Sequence, residues 1–178
     1  MKHAPIDICC PSCGNRALFH EPFEFIGTKG DLAGRPYHEW GGWKVVELFP
    51  STFKWVPPKT SSQYLRGGGN NGHGGYPLLH RGLYQCDHCH NNLKHILDWP
   101  NDAFWSWEIR GSQLWAWDMN HAQRILDYIK PVSRTRTYSY DLRCIPKEFL
   151  AAKVRELIVK RITRSLENKT EKPTADRL

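Results

Sequence analysis

The chain lacks a long hydrophobic run, both along its length and in the residues before Cys9. A membrane-spanning helix needs about 20 consecutive apolar residues, whereas the best candidate, Leu157-Ile158-Val159, is cut short by Lys160 and Arg161. Because no apolar stretch precedes Cys9, we expect neither a signal peptide nor a transit peptide. These absences predict a cytoplasmic protein with no membrane partner.

Net charge is also missing from most of the chain. The 178 residues carry 25 Lys and Arg against 18 Asp and Glu, a net charge of +7. Residues 1–129 contain 12 of each sign, while residues 130–178 contain 13 basic and 6 acidic side chains. We therefore expect a neutral body over 1–129, followed by a basic arm and helix over 130–178 that pack on it as one domain. This asymmetry favours an anionic partner.

Cysteine, by contrast, is abundant, and spacing pairs four of the six. Cys10 with Cys13 and Cys86 with Cys89 form two C-x-x-C pairs. In a reducing compartment such pairs indicate metal ligands rather than disulfides. Four thiolates complete a tetrahedral site with no position open to water, which is typical of structural zinc. The sequence therefore predicts one structural Zn²⁺ ion.

The run Cys10-Pro11-Ser12-Cys13-Gly14 resembles the knuckles of zinc-ribbon proteins. The resemblance implies that both pairs lie at the tips of β-hairpins. Gly14 follows the turn, where a positive φ is often needed. Three neighbouring side chains, those of Cys9, His88 and His90, remain open as replacement ligands, and Cys144 is expected to be a small buried residue instead.

The 72 residues between the two pairs are too many for a simple ribbon and predict a β-rich insertion. Residues 43–49 and 53–56 are aromatic and β-branched between glycine and proline breaks, which indicates two short strands. Residues 67–75 are rich in glycine and predict a mobile loop. A phosphate-binding loop is not favoured, because its Lys and Ser/Thr positions and flanking elements are lacking.

Tryptophan is concentrated after the second pair. Residues 104–109 and 114–117 alternate with period two and predict a hairpin. A three-residue loop at 110–112 places four indoles on one face, whereas a two-residue loop at 111–112 divides them between two faces. We expect these rings to belong to the core, because a helix over 119–130, capped by Asp118, follows at once. Its apolar stripe comprises Ala122, Ile125, Leu126 and Ile129.

A second amphipathic helix is predicted from Lys147 to Leu166, with Pro146 at its start. Its polar face is basic, with some support expected from a Glu156–Lys160 pair. An extended Arg/Tyr stretch precedes it. From these two segments the candidate nucleic-acid-binding residues are Arg134, Arg136, Lys153, Lys160, Arg161 and Arg164.

Together these patterns predict an α+β fold: a zinc ribbon with a β-rich insertion, a tryptophan-rich hairpin and two C-terminal helices. The leading function is a zinc-binding module that binds DNA or RNA through its basic C-terminal region. One alternative is a structural or protein-interaction subunit with structural zinc. Another is a metal-dependent nuclease, since residues 86–90 with Lys94 resemble the second knuckle of HNH nucleases, although no Asp-His pair lies between the knuckles. The balance favours a protein without enzymatic activity.

Overall fold

The computed structural model describes residues 5–27, 29–57, 81–131 and 140–168. Within these ranges the chain forms nine strands in three sheets and two α-helices, which confirms the predicted α+β class. The strands are β1 Ile6–Cys9, β2 Arg16–His20, β3 Phe23–Gly27, β4 His38–Trp40, β5 Trp43–Glu47, β6 Arg81–Gln85, β7 Asn92–Ile96, β8 Trp105–Ile109 and β9 Ser112–Ala116. The helices are α1 Met119–Ile129 and α2 Ala152–Glu167, with short 3-10 segments at Tyr140–Cys144 and Lys147–Leu150.

Three sheets organise these strands. One has the order β1-β2-β6-β7, the second β3-β5-β4, and the third is the β8-β9 hairpin. The chain divides into two compact units: Met1–Pro5, Phe19–Leu83 and Leu93–Leu97 make the first, and Ile6–Leu18, Tyr84–Asn92 and Asp98–Leu178 the second. The expected boundary at residue 129 follows from the distribution of charge, and it stays a prediction.

The first unit is built on the antiparallel β3-β5-β4 sheet. Phe25 of β3 pairs with Val45 of β5, and both are buried beside Trp55. The predicted strand over 53–56 is wrong. There the backbone N–H of Trp55 donates to the Glu47 carboxylate at 2.6 Å, and the ring meets Phe25 edge to face at 5.5 Å. The segment is held by its aromatic ring and a side-chain acceptor rather than by a strand ladder.

The core of the second unit lies between the β8-β9 hairpin and the two helices. Both predictions of the hairpin loop were wrong in their residues, because Ile109 pairs with Ser112 and the loop is Arg110-Gly111. Both loop residues have positive φ, 54° and 77°, as a type I′ turn requires. This register buries the indoles of β8 and turns the Trp115 ring to the opposite face, so the tryptophans are divided between two faces.

Helix α1 follows the prediction closely. The Asp118 side chain accepts the backbone N–H of His121 at 2.7 Å, which satisfies an orphan donor of the first turn. The predicted apolar stripe is buried.

Helix α2 begins later than predicted. Pro146 precedes a 3-10 turn at Lys147–Leu150 that buries Phe149, and the α-helix starts only at Ala152. The extended backbone of Ala151, with ψ of 139°, interrupts the helical path. Val154, Ile158 and Ile162 are buried, whereas Leu157 of the predicted stripe is 38% exposed. Neither this helix nor any other in the described ranges has the length and apolar character needed to cross a membrane.

Candidate metal centre

Two loops of matching construction carry the paired cysteines. We call residues 10–15, between β1 and β2, the first knuckle, and residues 86–91, between β6 and β7, the second knuckle. In each, the N–H of the first cysteine donates to the carbonyl of an asparagine five residues later, at 2.7 Å for Asn15 and 3.0 Å for Asn91. The carbonyl of that cysteine accepts an N–H four residues on, at 2.9 Å in both loops. The sequence thus folds twice into the same turn.

The turn requires a positive φ after its second cysteine. Gly14 has φ of 76°, as expected for the first knuckle, and His90 has φ of 59° at the equivalent position of the second. A residue with a Cβ is strained there, at about 1 kcal/mol or more. The second knuckle therefore maintains the same turn with a less suitable residue.

The two knuckles bring four sulfur atoms to one point. The Sγ atoms of Cys10, Cys13, Cys86 and Cys89 all lie within 4.8 Å of one another. Cys10 Sγ is 3.6 Å from Cys89 Sγ, and Cys13 Sγ is 3.6 Å from Cys86 Sγ. A disulfide needs about 2.05 Å, and all these cysteines are free. Zn–S bonds of about 2.3 Å in a tetrahedron place sulfurs about 3.8 Å apart, so this donor set fits a zinc ion.

The pKa values of Cys10, Cys13 and Cys89 are shifted in different directions. The pKa of Cys13 is lowered to about 6, first because the backbone N–H of Asn15 donates to its sulfur. For Cys89 the N–H of Asn91 acts in the same direction, but burial and the three neighbouring sulfurs outweigh it and raise the pKa to about 12. Burial also raises the pKa of Cys10. Four thiolates this close repel one another, and a dication is the group that balances them.

Further polar contacts surround the sulfur atoms. The side-chain amide of Asn15 donates to Cys13 Sγ at 3.6 Å, and Cys86 Sγ lies 3.8 Å from the carbonyl oxygen of Arg16. The hydroxyl of Ser12, inside the first knuckle, lies 2.9 Å from that of buried Tyr84. Outer contacts of this kind orient metal ligands.

The alternative ligands do not join this cluster. Cys9 Sγ contacts the carbonyl of Ala103 at 3.6 Å, and Cys144 Sγ, half-buried, contacts that of Asp141 at 3.3 Å. His88 and His90 are exposed. Among the described residues the only group of three or more metal-type side chains is the four-cysteine set.

The candidate nucleic-acid-binding residues fall into three groups. Lys153, Lys160 and Arg164 are exposed on α2. Arg161 is half-buried, and its guanidinium donates to the carbonyl of Glu108 at 2.6 Å. Arg134 and Arg136 lie outside the described residues, as does the predicted loop at 67–75. The expected Glu156–Lys160 ion pair does not form in the described part of the chain, where both residues are exposed.

Two buried polar residues were missed by the sequence analysis. Asp7 is 3% exposed and accepts the indole N–H of Trp105 at 2.6 Å. His121 is fully buried within α1. The partner of Asp7 lies 98 positions along the chain, and the ring of His121 joins a neighbour, Trp117, to the more distant Asp141.

No family model, curated protein or solved structure matches this chain. The likeness to zinc ribbons therefore rests on the residues and geometry of the two knuckles. What is shown is an α+β chain whose four clustered cysteines are compatible with a zinc site.

Proposed function

We propose that this protein is a zinc-binding module that binds nucleic acid through helix α2. The metal would be held by Cys10, Cys13, Cys86 and Cys89, which offer no further ligand position, so its role is to stabilise the fold. No chemical step is assigned to the metal.

One observation carries the nucleic-acid part of the proposal. Lys153, Lys160 and Arg164, which we call the basic stripe, recur at a spacing of seven and four residues and therefore share one helix face. All three are exposed, and within the described ranges none of their side chains forms an ion pair or hydrogen bond. Cations without internal partners are available to neutralise phosphates and to release the counterions condensed on them.

Arg161 is not part of the basic stripe, because it lies towards the face of α2 that packs on the hairpin. The indole N–H of Trp107 donates to Ser165 Oγ at 3.0 Å, so this face is packed on the hairpin. Arg161 lies at the margin of that contact and binds a backbone carbonyl of β8. We assign Arg161 to holding the helix on the hairpin, and the basic stripe to the partner.

Fluorescence anisotropy with labelled single- and double-stranded DNA and RNA tests the proposal. Replacing the basic stripe by K153Q/K160Q/R164Q should weaken binding and lower the salt slope by about 2 to 3, since each lost duplex phosphate contact is worth about 0.9 and each single-strand contact about 0.7. The matched control, K29Q/R81Q/K130Q, removes three exposed charges outside α2 and should retain the slope. Binding that is absent at low salt, or equal in both variants, would contradict the proposal.

A second function is favoured by Leu157, which is 38% exposed and, by its helical spacing, lies on the same face as the basic stripe. An apolar side chain on a basic face also suits an acidic protein surface, as in a structural or interaction subunit. Light scattering on a size-exclusion column, with the Leu157→Ser variant beside the wild type, measures self-association. A change in mass on this substitution would favour the protein partner over nucleic acid.

The nuclease alternative receives no support from the described residues. The sequence offers two lone histidines, His38 and His80, as candidate bases. His80 lies outside the described residues, and His38 has its Nε2 3.3 Å from Glu47 Oε1 within the first unit. No metal-type group of the described chain includes His38 or Glu47.

A further inference from the structure

The two knuckles are equal in backbone construction but unequal in the side chains around their outer sulfurs. In each pair the first cysteine is buried and the second is half-buried. Cys13 and Cys89 are therefore the two sulfurs that reagents from solvent reach first. Any difference between them lies in their local contacts.

Cys13 has a side-chain donor. The amide of Asn15 lies 3.6 Å from its sulfur, in addition to the backbone turn that both knuckles share. The first knuckle is also tied to the unit by Ser12, whose hydroxyl lies 2.9 Å from that of Tyr84. A thiolate with donors around it is held more firmly as a ligand.

Cys89 lacks the corresponding donor. Asn91 occupies the position equivalent to Asn15, yet in the described part of the chain its side chain makes no hydrogen bond to sulfur or to any other group. The side chains inside this knuckle, Asp87 and His88, are exposed. His90 adds a positive φ of 59° at a residue with a Cβ, a strain that opening of the turn would release.

From these differences we infer that the metal site opens at the second knuckle, with Cys89 as the first ligand to leave and the first cysteine of the cluster to be modified. The inference rests on the metal-binding part of the proposed function. The first knuckle, through Asn15, keeps its hold while the second exchanges. The first knuckle is thus the fixed half of the site, and the second knuckle is the exchangeable half. The reagent expected to modify Cys89 is a soft, thiol-reactive electrophile.

Limited labelling of the zinc-loaded full chain with N-ethylmaleimide, followed by peptide mass spectrometry, tests this order. In the labelling step a metal–sulfur bond breaks, the sulfur forms a bond to an alkene carbon of the maleimide, and the other alkene carbon takes a proton from water. Cys89 should be labelled about tenfold or more faster than Cys13, the scale on which outer-shell contacts alter metal sites. Labelling of Cys13 first, or of both at one rate, would overturn the inference.

Two matched variants attribute the order to its cause. Asn15→Ala removes the side-chain donor and should bring the labelling rate of Cys13 up to that of Cys89, whereas Asn91→Ala should leave both rates unchanged. Asn15→Asp, which keeps the size but loses the donor, should act as Asn15→Ala does. Slow labelling of Cys13 in both Asn15 variants would contradict the role of that residue.

Metal analysis of the same samples distinguishes failure of the proposed metal site from failure of the proposed opening order. A chain that contains no zinc would overturn the metal site and this inference together. A chain that contains zinc but whose Cys13 and Cys89 are labelled at the same rate would overturn the inference alone.

Discussion

His121 is the residue whose surroundings most constrain its chemistry. Its Nδ1 accepts the backbone N–H of Trp117 at 3.1 Å, and its Nε2 lies 2.9 Å from the carbonyl oxygen of Asp141. A carbonyl only accepts, so the proton lies on Nε2 and the imidazole is neutral. Burial lowers its pKa, and the charged groups around it are Arg124, Asp141 and Asp118. Protonation of Nδ1 would remove the bond to Trp117.

The stability of the fold should therefore depend on pH through His121. The unfolded chain takes up a proton near 6.5, whereas the folded imidazole resists it, so this contribution is full above 6.5 and is lost as the pH falls towards the lower folded pKa. Its slope is at most about 1.4 kcal/mol per pH unit. Urea unfolding of wild type and His121→Asn from pH 8 to 5 measures it as a difference, in which metal loss common to both proteins cancels. A difference that is constant with pH would contradict this account.

The buried hydrogen bond between Asp7 and Trp105 should contribute to stability. Replacement by Ala leaves the fully buried indole N–H of Trp105 without its acceptor and should cost about 1–3 kcal/mol of unfolding free energy. Asp7→Asn keeps an acceptor and should cost less. In the double variant Asp7→Ala/Trp105→Phe the two losses should sum to more than the observed loss, because the orphaned donor is gone. Strict additivity in urea titrations would argue against the buried bond.

At the scale of elements, the β8-β9 hairpin depends on a loop that its sequence suits only in part. Gly111 tolerates its φ of 77°, but Arg110 holds a φ of 54° with a full side chain. Left-handed backbone costs a residue with a Cβ about 1–2 kcal/mol. The strands retain this register because Trp107 and Leu114, paired across it, are both buried. Burial of the hairpin face thus outweighs strain in the loop.

Arg110→Asn should stabilise the protein by about 0.5–1 kcal/mol, because Asn-Gly suits a type I′ loop. Arg110→Val, with a branched Cβ at the same φ, should destabilise it. Arg110 is exposed, and its side chain forms no hydrogen bond or ion pair with a described residue. Because all the substitutions remove the same charge, loss of charge cannot explain a difference between them. Denaturant midpoints for the two variants and Arg110→Ala should fall in the order Asn, Ala, Val, and any other order would count against the strained loop.

On the scale of the whole molecule, the four cysteines connect segments that are distant along the chain. Cys13 and Cys86 lie 73 positions apart, and their sulfurs are 3.6 Å apart. Closing such a loop costs several kcal/mol of chain entropy, and four thiols without a cation add little to offset it. A structural zinc ion contributes about 10–16 kcal/mol in small zinc peptides. The metal is therefore expected to decide whether this part of the chain folds.

Removing the metal should unfold the second unit cooperatively. We expect about one zinc ion per chain, and loss of the near-ultraviolet tryptophan signal when a strong chelator is added. Cys13→Ser should bring about the same loss without chelator. The control, Cys9→Ser, changes a cysteine outside the four-cysteine group, whose sulfur lies 3.6 Å from the Ala103 carbonyl oxygen, and it should keep both zinc and signal. A metal-free chain with native spectra would contradict the metal centre.

Local features were predictable from the sequence because neighbours in the chain determine them. The turn after each cysteine pair, the cap at Asp118 and the stripe of α1 depend on residues within four or five positions, and all three are present in the structure. The later start of α2 was not predictable in this way. Its apolar spacing continues through Ala151, but the backbone there is extended so that Phe149 reaches the core.

By itself the sequence determined the chemistry of the candidate metal ligands, the α+β class and the helices' apolar faces, since spacing alone encodes them. Tertiary structure decided what the remaining polar side chains do. It buried Asp7 against Trp105, engaged Arg161 with β8 and left Lys153, Lys160 and Arg164 to solvent. The physical reason is that a charge's role depends on the partner and the solvent around it, and those come from segments far away in the chain.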